Sequence, residues 1–421
     1  MPQEELGRKV IKRPGRKVHS ASTLSLVNEA SNTLRASSFI HVNLDAVVHN
    51  IRILKGLAGP KTEMMGVVKG GAYGSGLMPV VNVMLEEGVK ELCVATVGEG
   101  VYLRQHNVTV PITVFGNLVE CEVEDVKRHH LIPSLSWTQP FTSHDKENLV
   151  YPDGSRLRVA INIDTGMSRY GVQPQDLPDL IHSLDQLEVT ITSLYTHFQS
   201  GISEKKKNKR QLDLFLEATE PYLSRPLTRH AAATTGCVQG LGTDLDFIRP
   251  GGAITGLSSG YDFQGAEEFK QCEFRPAMSV VAKPSFYKLL PPGKFIGYDG
   301  TYKTEQSEWI ANLTTGWSDG FSRCLSNNGA VRSIKTRELC PIVGRVSMDS
   351  ITVKLSGAPD PDDGYLVISD DFHNITSAVG LARRLKAAVY EIPGKFSTRL
   401  PRIYSRGGKI TQTFPSLSYT C

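Results

Sequence analysis

Apolar and polar positions alternate in blocks along the first 257 residues of the chain. Short apolar runs typical of buried strands are separated by segments with the helical repeat of apolar positions, such as MPVVNVMLEEG (78–88) and QLDLFLEAT (211–219). The strand candidates are residues 39–44, 64–68, 92–96, 112–115, 132–135, 157–163, 190–195, 227–230 and 247–249. Strands that alternate with helices in this way indicate parallel βα units.

The number and spacing of these units predict the architecture of the first domain. About eight repeats over roughly 220 residues match the size of a (β/α)₈ TIM barrel, which typically needs about 250. We therefore expect an α/β fold with a TIM barrel over residues 38–272. A doubly wound open sheet is the alternative that the same alternation allows.

The pattern changes after residue 272. The runs SVVAKPSFYKLL (279–290), WIANLTTGW (309–317), LCPIVGRVSMDSITVKL (339–355) and GYLVIS (364–369) are rich in strand-forming residues and broken by Pro and Gly. One helical pattern, ITSAVGLARRLKA (375–387), interrupts them. Residues 273–421 are therefore predicted to form a second, mainly β C-terminal domain.

Composition narrows the class of protein. With 40% hydrophobic and 21% charged residues the chain can bury a sizeable core, and its formal charge of +4 is too small to indicate nucleic-acid binding. The seven cysteines are scattered without a CxxC pair, which argues against a disulfide framework and a structural zinc site. No run approaches the ~18 apolar residues of a membrane span.

The N-terminal segment is basic. Residues 1–37 carry seven Lys or Arg and three Glu, and they show no apolar core of a secretory signal. We expect a disordered extension and a cytoplasmic protein. Targeting to an organelle by the basic N-terminus is the weaker alternative, because Glu4 and Glu5 lie where transit peptides avoid acids.

Four polar residues lie at or just beyond the C-terminal ends of predicted strands, where a barrel carries its chemistry: Lys69, Arg169, His197 and Arg249. A strand-end lysine before GGAYGSG can have a depressed pKa and form a Schiff base, or it can simply reach solvent. The glycines there and in GGAITG (251–256) can bind phosphate through backbone N–H groups or form ordinary turns. Because His197 stands alone at these ends, no metal site is expected.

Eight motifs occur in one series along the chain. They are VVKGGAYGSG (67–76), NIDTGMSRYG (162–171), LYTHF (194–198), IRPGGAITGL (248–257), YDGTY (298–302), EWI (308–310), GRVSMDS (344–350) and LPRIY (400–404). The series resembles the alanine racemase family of fold-type III pyridoxal-phosphate enzymes, over about residues 38–405. A single motif would be weak evidence for the family, but eight motifs in the family's order are highly specific evidence.

The resemblance implies a binding site for pyridoxal 5'-phosphate in the barrel. Lys69 matches the lysine that carries the cofactor as a Schiff base and acts as one catalytic base. Arg249 matches the arginine that faces the pyridine nitrogen. The residues matching the family's phosphate ligands are Tyr73, Thr234, Gly251 and Gly252.

The same resemblance implies the parts that act on the substrate. Tyr298 matches the second base, and His197 matches a histidine that links this base to the arginine beneath the ring. Arg169 and the backbone N–H of Met348 match groups that hold the substrate carboxylate. In the family the β domain that carries Tyr298 and Met348 comes from the partner subunit of a head-to-tail homodimer.

The implied activity is the interconversion of L- and D-alanine by two bases, Lys69 and Tyr298. Racemisation removes a proton from one face of a planar centre and returns one to the other face, which a single base cannot easily reach. A serine racemase or a racemase of broader specificity in the same family is the alternative. A third possibility is a cofactor-binding protein without catalysis, but the retained Tyr298 argues against it.

Five positions depart from the family pattern: Ser75 stands for a histidine, Asn162 for a lysine that is often carbamylated, Ala233 for an asparagine, and Trp317 and Thr398 for tyrosines. Because Asn162 is neutral, we expect an anion such as chloride to support Arg169. The changes at Trp317 and Thr398 alter the implied pocket wall. We expect alanine to remain the best substrate, with detectable turnover of serine.

Overall fold

The computed structural model describes residues 36–257, 271–372 and 374–414, together with Leu26, Glu29, Ala30 and Phe269. The extension predicted for residues 1–37 lies outside the described residues, apart from Leu26, Glu29, Ala30 and residues 36–37. Regular structure from residue 36 onwards begins with strand β1 (Ser38–Asn43).

A closed barrel of eight parallel strands follows. Its strands are β2 (Glu63–Val67), β3 (Glu91–Val94), β4 (Ile112–Asn117), β5 (Ile132–Leu135), β6 (Arg158–Asn162), β7 (Thr190–Tyr195), β8 (Thr228–Ala233) and β9 (Phe247–Arg249). The barrel closes where β2 pairs with β9, with Glu63 opposite Phe247. Most residues of these strands are buried, as parallel strands covered on both faces require. The predicted TIM barrel is confirmed.

Helices surround the barrel. They are α1 (Leu44–Leu57), α2 (Leu77–Glu86), α3 (Val97–Gln105), α4 (Val123–Arg128), α5 (Leu177–Gln186), α6 (Lys205–Thr219) and α7 (Thr234–Gln239). The two helices predicted from 78–88 and 211–219 correspond to α2 and α6. No α-helix lies between β5 and β6; short 3₁₀ turns connect these strands.

Helix α1 takes the place of the helix that would follow β9. It precedes the barrel in sequence, and the Asn43 side chain caps its first turn by accepting from the Asp45 and Ala46 N–H groups. It packs beside α2 and α7 and against the turn Gly252–Thr255, where Asn50 Nδ2 donates to the Ile254 carbonyl over 3.1 Å. The ring of helices is therefore closed by a segment from outside the βα series.

Strand β1 does not lie where its order in the sequence suggests. We expected residues 39–44 to continue the barrel series, but β1 lies in the sheet of the C-terminal domain. It pairs antiparallel with residues 278–282 and parallel with residues 402–405. Five of its six residues are buried, which is equally typical of a barrel strand and of a central strand in a sheet. The apolar pattern alone cannot distinguish the two.

The C-terminal domain is mainly β, as predicted. Its strands are β10 (Met278–Ala282), β11 (Pro284–Leu290), β12 (Phe295–Ile296), β13 (Tyr302–Lys303), β14 (Glu308–Leu313), β15 (Ala330–Ser333), β16 (Leu339–Pro341), β17 (Ile351–Lys354), β18 (Tyr365–Ile368), β19 (Arg402–Arg406) and β20 (Lys409–Phe414). They form a seven-stranded sheet in the order β16-β15-β18-β10-β1-β19-β20, a three-stranded sheet β11-β14-β17, and the hairpin β12-β13.

Two helices lie between the last strands of this domain. The first, α8 (Ala378–Leu385), matches the helical pattern at 375–387 and is capped by Ser377, whose Oγ accepts from the Gly380 N–H. The second, α9 (Glu391–Gly394), is a single turn that reaches the barrel. Within the described ranges, no helix is long and apolar enough to span a bilayer.

Candidate active site

One cleft of about 930 Å³ lies at the C-terminal end of the barrel. Residues that line it follow or end strands β2, β6, β7, β8 and β9, which is where barrel enzymes place their chemistry. Eight of the predicted site residues line this cleft together: Lys69, Tyr73, Arg169, His197, Thr234, Arg249, Gly251 and Gly252. These residues come from five separate stretches of the sequence, and the fold brings them to one place.

Lys69 begins a left-handed turn directly after strand β2. Gly70, Gly71 and Ala72 have φ between 55° and 62°, and Tyr73 has φ 55°. Glycine adopts these angles without cost, whereas each of Ala72 and Tyr73 gives up about 1–2 kcal/mol in this region. The turn therefore holds strained backbone to bring the Tyr73 side chain into the cleft beside Lys69.

The Lys69 amine lies among other cations. Burial lowers its pKa, and the nearby Arg169 and Arg249 lower it further, while the Glu99 carboxylate acts in the opposite direction. Within the described ranges, neither Lys69 nor Arg169 has an acidic side chain paired with it. A lysine in this setting loses its proton more readily than one in water, as a nucleophilic amine must.

Arg249 is the deepest cation of the cleft, with 3% of its surface exposed. One terminal nitrogen donates to the carbonyl oxygens of Thr196 and Ala231, and the guanidinium lies 5.2 Å from the centre of the Tyr195 ring. Its Nε has no hydrogen-bond partner among the described residues. A buried guanidinium without a carboxylate is costly unless a ligand supplies the missing acceptor.

His197 follows strand β7 and faces the same cations. Burial lowers its pKa to about 3, and the charges of Arg249, Arg169 and Lys69 act in the same direction. The imidazole is therefore neutral at physiological pH, with one ring nitrogen free to donate and the other to accept.

The glycine turn after β9 forms another wall of the cleft. Thr234 Oγ1 accepts from the N–H groups of Gly251, at 3.4 Å, and Ala253, at 3.3 Å. A Cβ added to Gly251 would lie 2.1 Å from the Tyr73 hydroxyl oxygen, so only glycine lets the tyrosine approach this closely. Hydroxyls and backbone N–H groups meet here, the donors that commonly bind a phosphate.

Tyr298 and Met348 do not line this cleft. Both lie in the C-terminal domain of the same chain, where 69% of Tyr298 and 48% of Met348 are exposed. The Asp299 carboxylate beside Tyr298 pairs with Arg345 Nε at 2.7 Å. The chain therefore presents the barrel half of the predicted site and the β half on separate surfaces.

Comparison with known proteins identifies the family. The alanine racemase N-terminal domain model matches residues 42–259, and the corresponding C-terminal domain model matches residues 277–404. The chain belongs to the alanine racemase family. It is 30% identical to the alanine racemase of Halothermothrix orenii over 87% of this chain and 96% of that protein, and 32% identical to that of Streptococcus suis over 87% and 97%.

Solved alanine racemases share the fold. The crystal structure of alanine racemase from Bacillus anthracis with bound L-Ala-P aligns with a TM-score of 0.81 and 28% identity, covering 90% of this chain and 98% of that one. The structure of the Streptomyces lavendulae alanine racemase aligns with a TM-score of 0.79 and 26% identity, covering 88% and 98%. The alignments extend over both domains, so the barrel and the β domain belong to one family fold.

Three residues in or beside this racemase-family cleft escaped the sequence analysis: Tyr195 and Tyr390 line it, and Glu99 lies behind Gly70. Glu99 accepts from the Gly70 N–H at 2.6 Å and from the Ala95 N–H at 2.8 Å, joining the ends of β2 and β3. The sequence does contain a signal for Glu99, since Thr96 and Glu99 have the spacing of a capping box, which they form at the start of α3. Tyr195 ends β7 within the quoted LYTHF motif. Tyr390 lies far along the chain, and nothing in its local sequence marks it.

The five departures from the alanine racemase pattern fall into two groups. Asn162 and Ala233 line the cleft, whereas Ser75, Trp317 and Thr398 do not. Anion support for Arg169 beside Asn162 stays a prediction. Thr398 is exposed and Trp317 is 45% exposed, so any role in the pocket wall requires a surface from another chain. In the described part of the chain, no group of three or more His, Cys, Asp or Glu residues is placed to hold a metal ion.

Proposed function

We propose that this chain is an alanine racemase that interconverts L- and D-alanine with pyridoxal 5'-phosphate as cofactor. The observation that carries the proposal is the single cleft that gathers eight predicted site residues at the barrel mouth. Membership of the alanine racemase family over both domains supports the choice of alanine over serine as substrate.

The cleft fits the cofactor on observations of its own. The Lys69 amine would attach the cofactor, and the unpaired Nε of buried Arg249 would find an acceptor in the ring nitrogen. Tyr73, Thr234 and the Gly251–Gly252 turn would hold the phosphate. Pyridoxal phosphate, when bound, delocalises the negative charge that forms on the α-carbon of the amino acid.

Two bases on opposite faces would move the proton. Lys69, whose pKa is lowered by burial and by two arginines, would serve one face. Tyr298 would serve the other, with neutral His197 linking it to Arg249. Arg169 and the backbone N–H of Met348 would hold the substrate carboxylate and so fix which bond the bases reach.

A homodimer would complete the site. Tyr298 and Met348 lie outside the cleft of their own chain and are exposed, so a second copy that docks its β domain over the barrel would deliver them. Nucleic acid and membrane are not expected as partners. The cytoplasmic location stays a prediction from the sequence.

The activity assay is direct. The purified protein is incubated with L-alanine, L-serine and a panel of other L-amino acids, with added pyridoxal phosphate, and the enantiomers are resolved by chiral chromatography. With the wild type, we expect L-alanine to reach an equal mixture of enantiomers fastest and serine to racemise slowly. The Lys69→Ala variant should racemise neither amino acid. Faster turnover of serine than of alanine would make serine the substrate, and no racemisation by the wild type would refute the proposal.

A further inference from the structure

The loops that follow strands β6 and β7 bring Arg169 and His197 into the cleft. One side chain of the outer helix α6 touches both loops. It is Gln211, of which only 7% is exposed. A helix normally turns apolar side chains toward the barrel, so a buried amide at this position is unusual. Gln211 does not line the cleft, so its amide acts on protein groups rather than on a ligand.

The Gln211 amide holds the backbone on both sides of Phe198. Its Oε1 accepts from the Gln199 N–H at 2.8 Å, and its Nε2 donates to the His197 carbonyl oxygen at 3.3 Å. These two backbone groups fix the orientation of the amide, because one can only donate and the other can only accept. The segment that carries the His197 imidazole is therefore held at two points.

The same amide reaches the loop after β6. Its Nε2 also donates to Thr165 Oγ1 at 3.4 Å, and Thr165 Oγ1 shares a hydrogen bond of 2.7 Å with Thr196 Oγ1 in the loop after β7. The Asp164 carboxylate accepts from two N–H groups between Thr165 and Arg169, which makes this stretch compact. Gln211 therefore ties the two loops together.

The positions of Arg169 and His197 are not set by ion pairs. Burial and the charges of Arg249, Arg169 and Lys69 all lower the pKa of the imidazole. Among the described residues Arg169 has no carboxylate partner, and its guanidinium lies 5.4 Å from the ring centre of Tyr170 in its own loop. Cations that repel one another stay close only where their backbones are held.

We infer that Gln211 is a positioning residue, which holds His197 and Arg169 in the relative positions that racemisation requires. The inference rests on the proposed function, in which Arg169 holds the substrate carboxylate and His197 links the second base to the buried arginine. A displacement of about 1 Å in either loop can cost up to about 100-fold in rate. The proposed cofactor ligands are not tied by this amide, so cofactor binding does not depend on it.

Gln211→Met tests the role, since methionine keeps the unbranched stem of glutamine but removes the amide. In protein free of cofactor and substrate, the rate at which diethyl pyrocarbonate modifies His197 is followed against pH by mass spectrometry. The reagent attacks the neutral imidazole. The wild-type rate should show no acid limb between about pH 5 and 8, because the imidazole stays neutral there. In the variant the ring is freed toward solvent, so an acid limb should appear and move toward the ordinary pKa of about 6.5.

Gln239→Met is the matched control. Gln239 is equally buried, at 6%, but its Nε2 donates to the carbonyl oxygens of Gly201 and Ile202, beyond the segment that Gln211 holds. This variant should keep the wild-type profile of His197. In steady-state assays with alanine, Gln211→Met should lower kcat/KM about 10–100-fold with an unchanged Kd for pyridoxal phosphate.

A wild-type profile in Gln211→Met, or the same shift in both variants, refutes a specific hold of Gln211 on His197. A shifted profile with wild-type kinetics refutes its importance for racemisation. A wild type without racemase activity refutes the proposed function and, with it, the catalytic purpose of the contact. The modification profile is measured without ligands, so it still shows in that case whether Gln211 holds His197.

Discussion

Charge dominates the cleft at the scale of single residues. Arg169 and Arg249 act on Lys69, and all three cations act on neutral His197. Among the described residues, none of the three is paired with a carboxylate. The Glu99 carboxylate raises the pKa of Lys69 through its negative charge. It also accepts a hydrogen bond from the N–H of Gly70, the residue next to Lys69. An excess of positive charge in a partly buried cleft favours the binding of anions, and under the proposed function the cofactor phosphate and the substrate carboxylate would supply them.

We predict that Glu99→Gln lowers the pKa of Lys69. The wild-type carboxylate raises that pKa against the effect of burial, so removing its charge favours the neutral amine. In the cofactor-free protein, the rate at which an amine reagent modifies Lys69 is followed against pH by mass spectrometry. The acid limb of the profile should move to lower pH.

Glu63→Gln is the control, because Glu63 is exposed at the opposite end of strand β2. It should leave the profile of Lys69 in place. A shift of the same size in both variants, or a shift to higher pH in Glu99→Gln, would contradict a direct effect of Glu99 on the amine.

At the scale of elements, two loops of the C-terminal domain are joined by backbone hydrogen bonds and by the side chain of Arg399. The turn Trp317–Asp319 packs on the loop of Met348, whose carbonyl accepts from the Ser318 N–H at 3.0 Å. The Arg399 guanidinium lies 3.0 Å from an Asp319 oxygen and 2.8 Å from an Asp349 oxygen. It also donates to Ser318 Oγ. These contacts fix the Met348 backbone that we propose to hold the substrate carboxylate.

We predict that Arg399→Met impairs substrate binding but not cofactor binding. Without the guanidinium the two loops keep their direct hydrogen bonds but lose the ion pairs to Asp319 and Asp349. A displacement of about 1 Å at a positioning group can cost up to about 100-fold in rate. We expect a higher KM for alanine and a fall in kcat/KM of about 10–100-fold. The Kd for pyridoxal phosphate should not change, because the residues proposed to bind the cofactor lie in the barrel.

Arg406→Met provides the comparison, since Arg406 forms an exposed pair with Glu86 on the surface. Steady-state kinetics of this variant should match the wild type. Equal kinetics for the two arginine variants, or a weakened cofactor in Arg399→Met, would show that Arg399 does not act through the substrate loops.

At the scale of the whole molecule, one chain carries the two halves of the proposed site on separate surfaces. The barrel half has a cleft with Lys69, while the β half exposes Tyr298, Trp317 and Met348. Large exposed apolar side chains of this kind are typical of surfaces that another protein covers. An isologous dimer buries both copies of each surface at once, so the two sites of a dimer form together.

We predict that two inactive variants restore activity when mixed. Lys69→Ala and Tyr298→Phe each remove one of the two proposed bases. A mixed dimer has one site with both substitutions and one site that is intact. After complete exchange of subunits in equal amounts, the activity should approach about one quarter of the wild type, because half of the dimers are mixed and each has one working site.

Exchange is verified with differently tagged subunits, and each variant taken through the same procedure alone is the control. Confirmed mixed dimers without activity would place both bases in the same chain and refute the shared site. Activity of Tyr298→Phe alone near that of the wild type would exclude Tyr298 as a base.

Several features follow from the sequence alone. The alternation of strands and helices predicts the barrel, because apolar periodicity records which faces are buried. Polar residues at the ends of apolar strands predict the cleft, since parallel strands of a barrel end on one rim. Lys69, Arg169, His197 and Arg249 were found in this way, and all four line the same cleft.

Other features were decided only by the tertiary structure. Periodicity shows that β1 is buried but not against what, so its place between β10 and β19 could not be read from its residues. Tyr390 enters the cleft because α9 packs on the turn after Lys69, a contact between segments more than 300 residues apart in sequence. The separation of Tyr298 from Lys69 within one chain is likewise a property of the folded molecule, because local sequence specifies elements while distances between remote side chains arise only from packing.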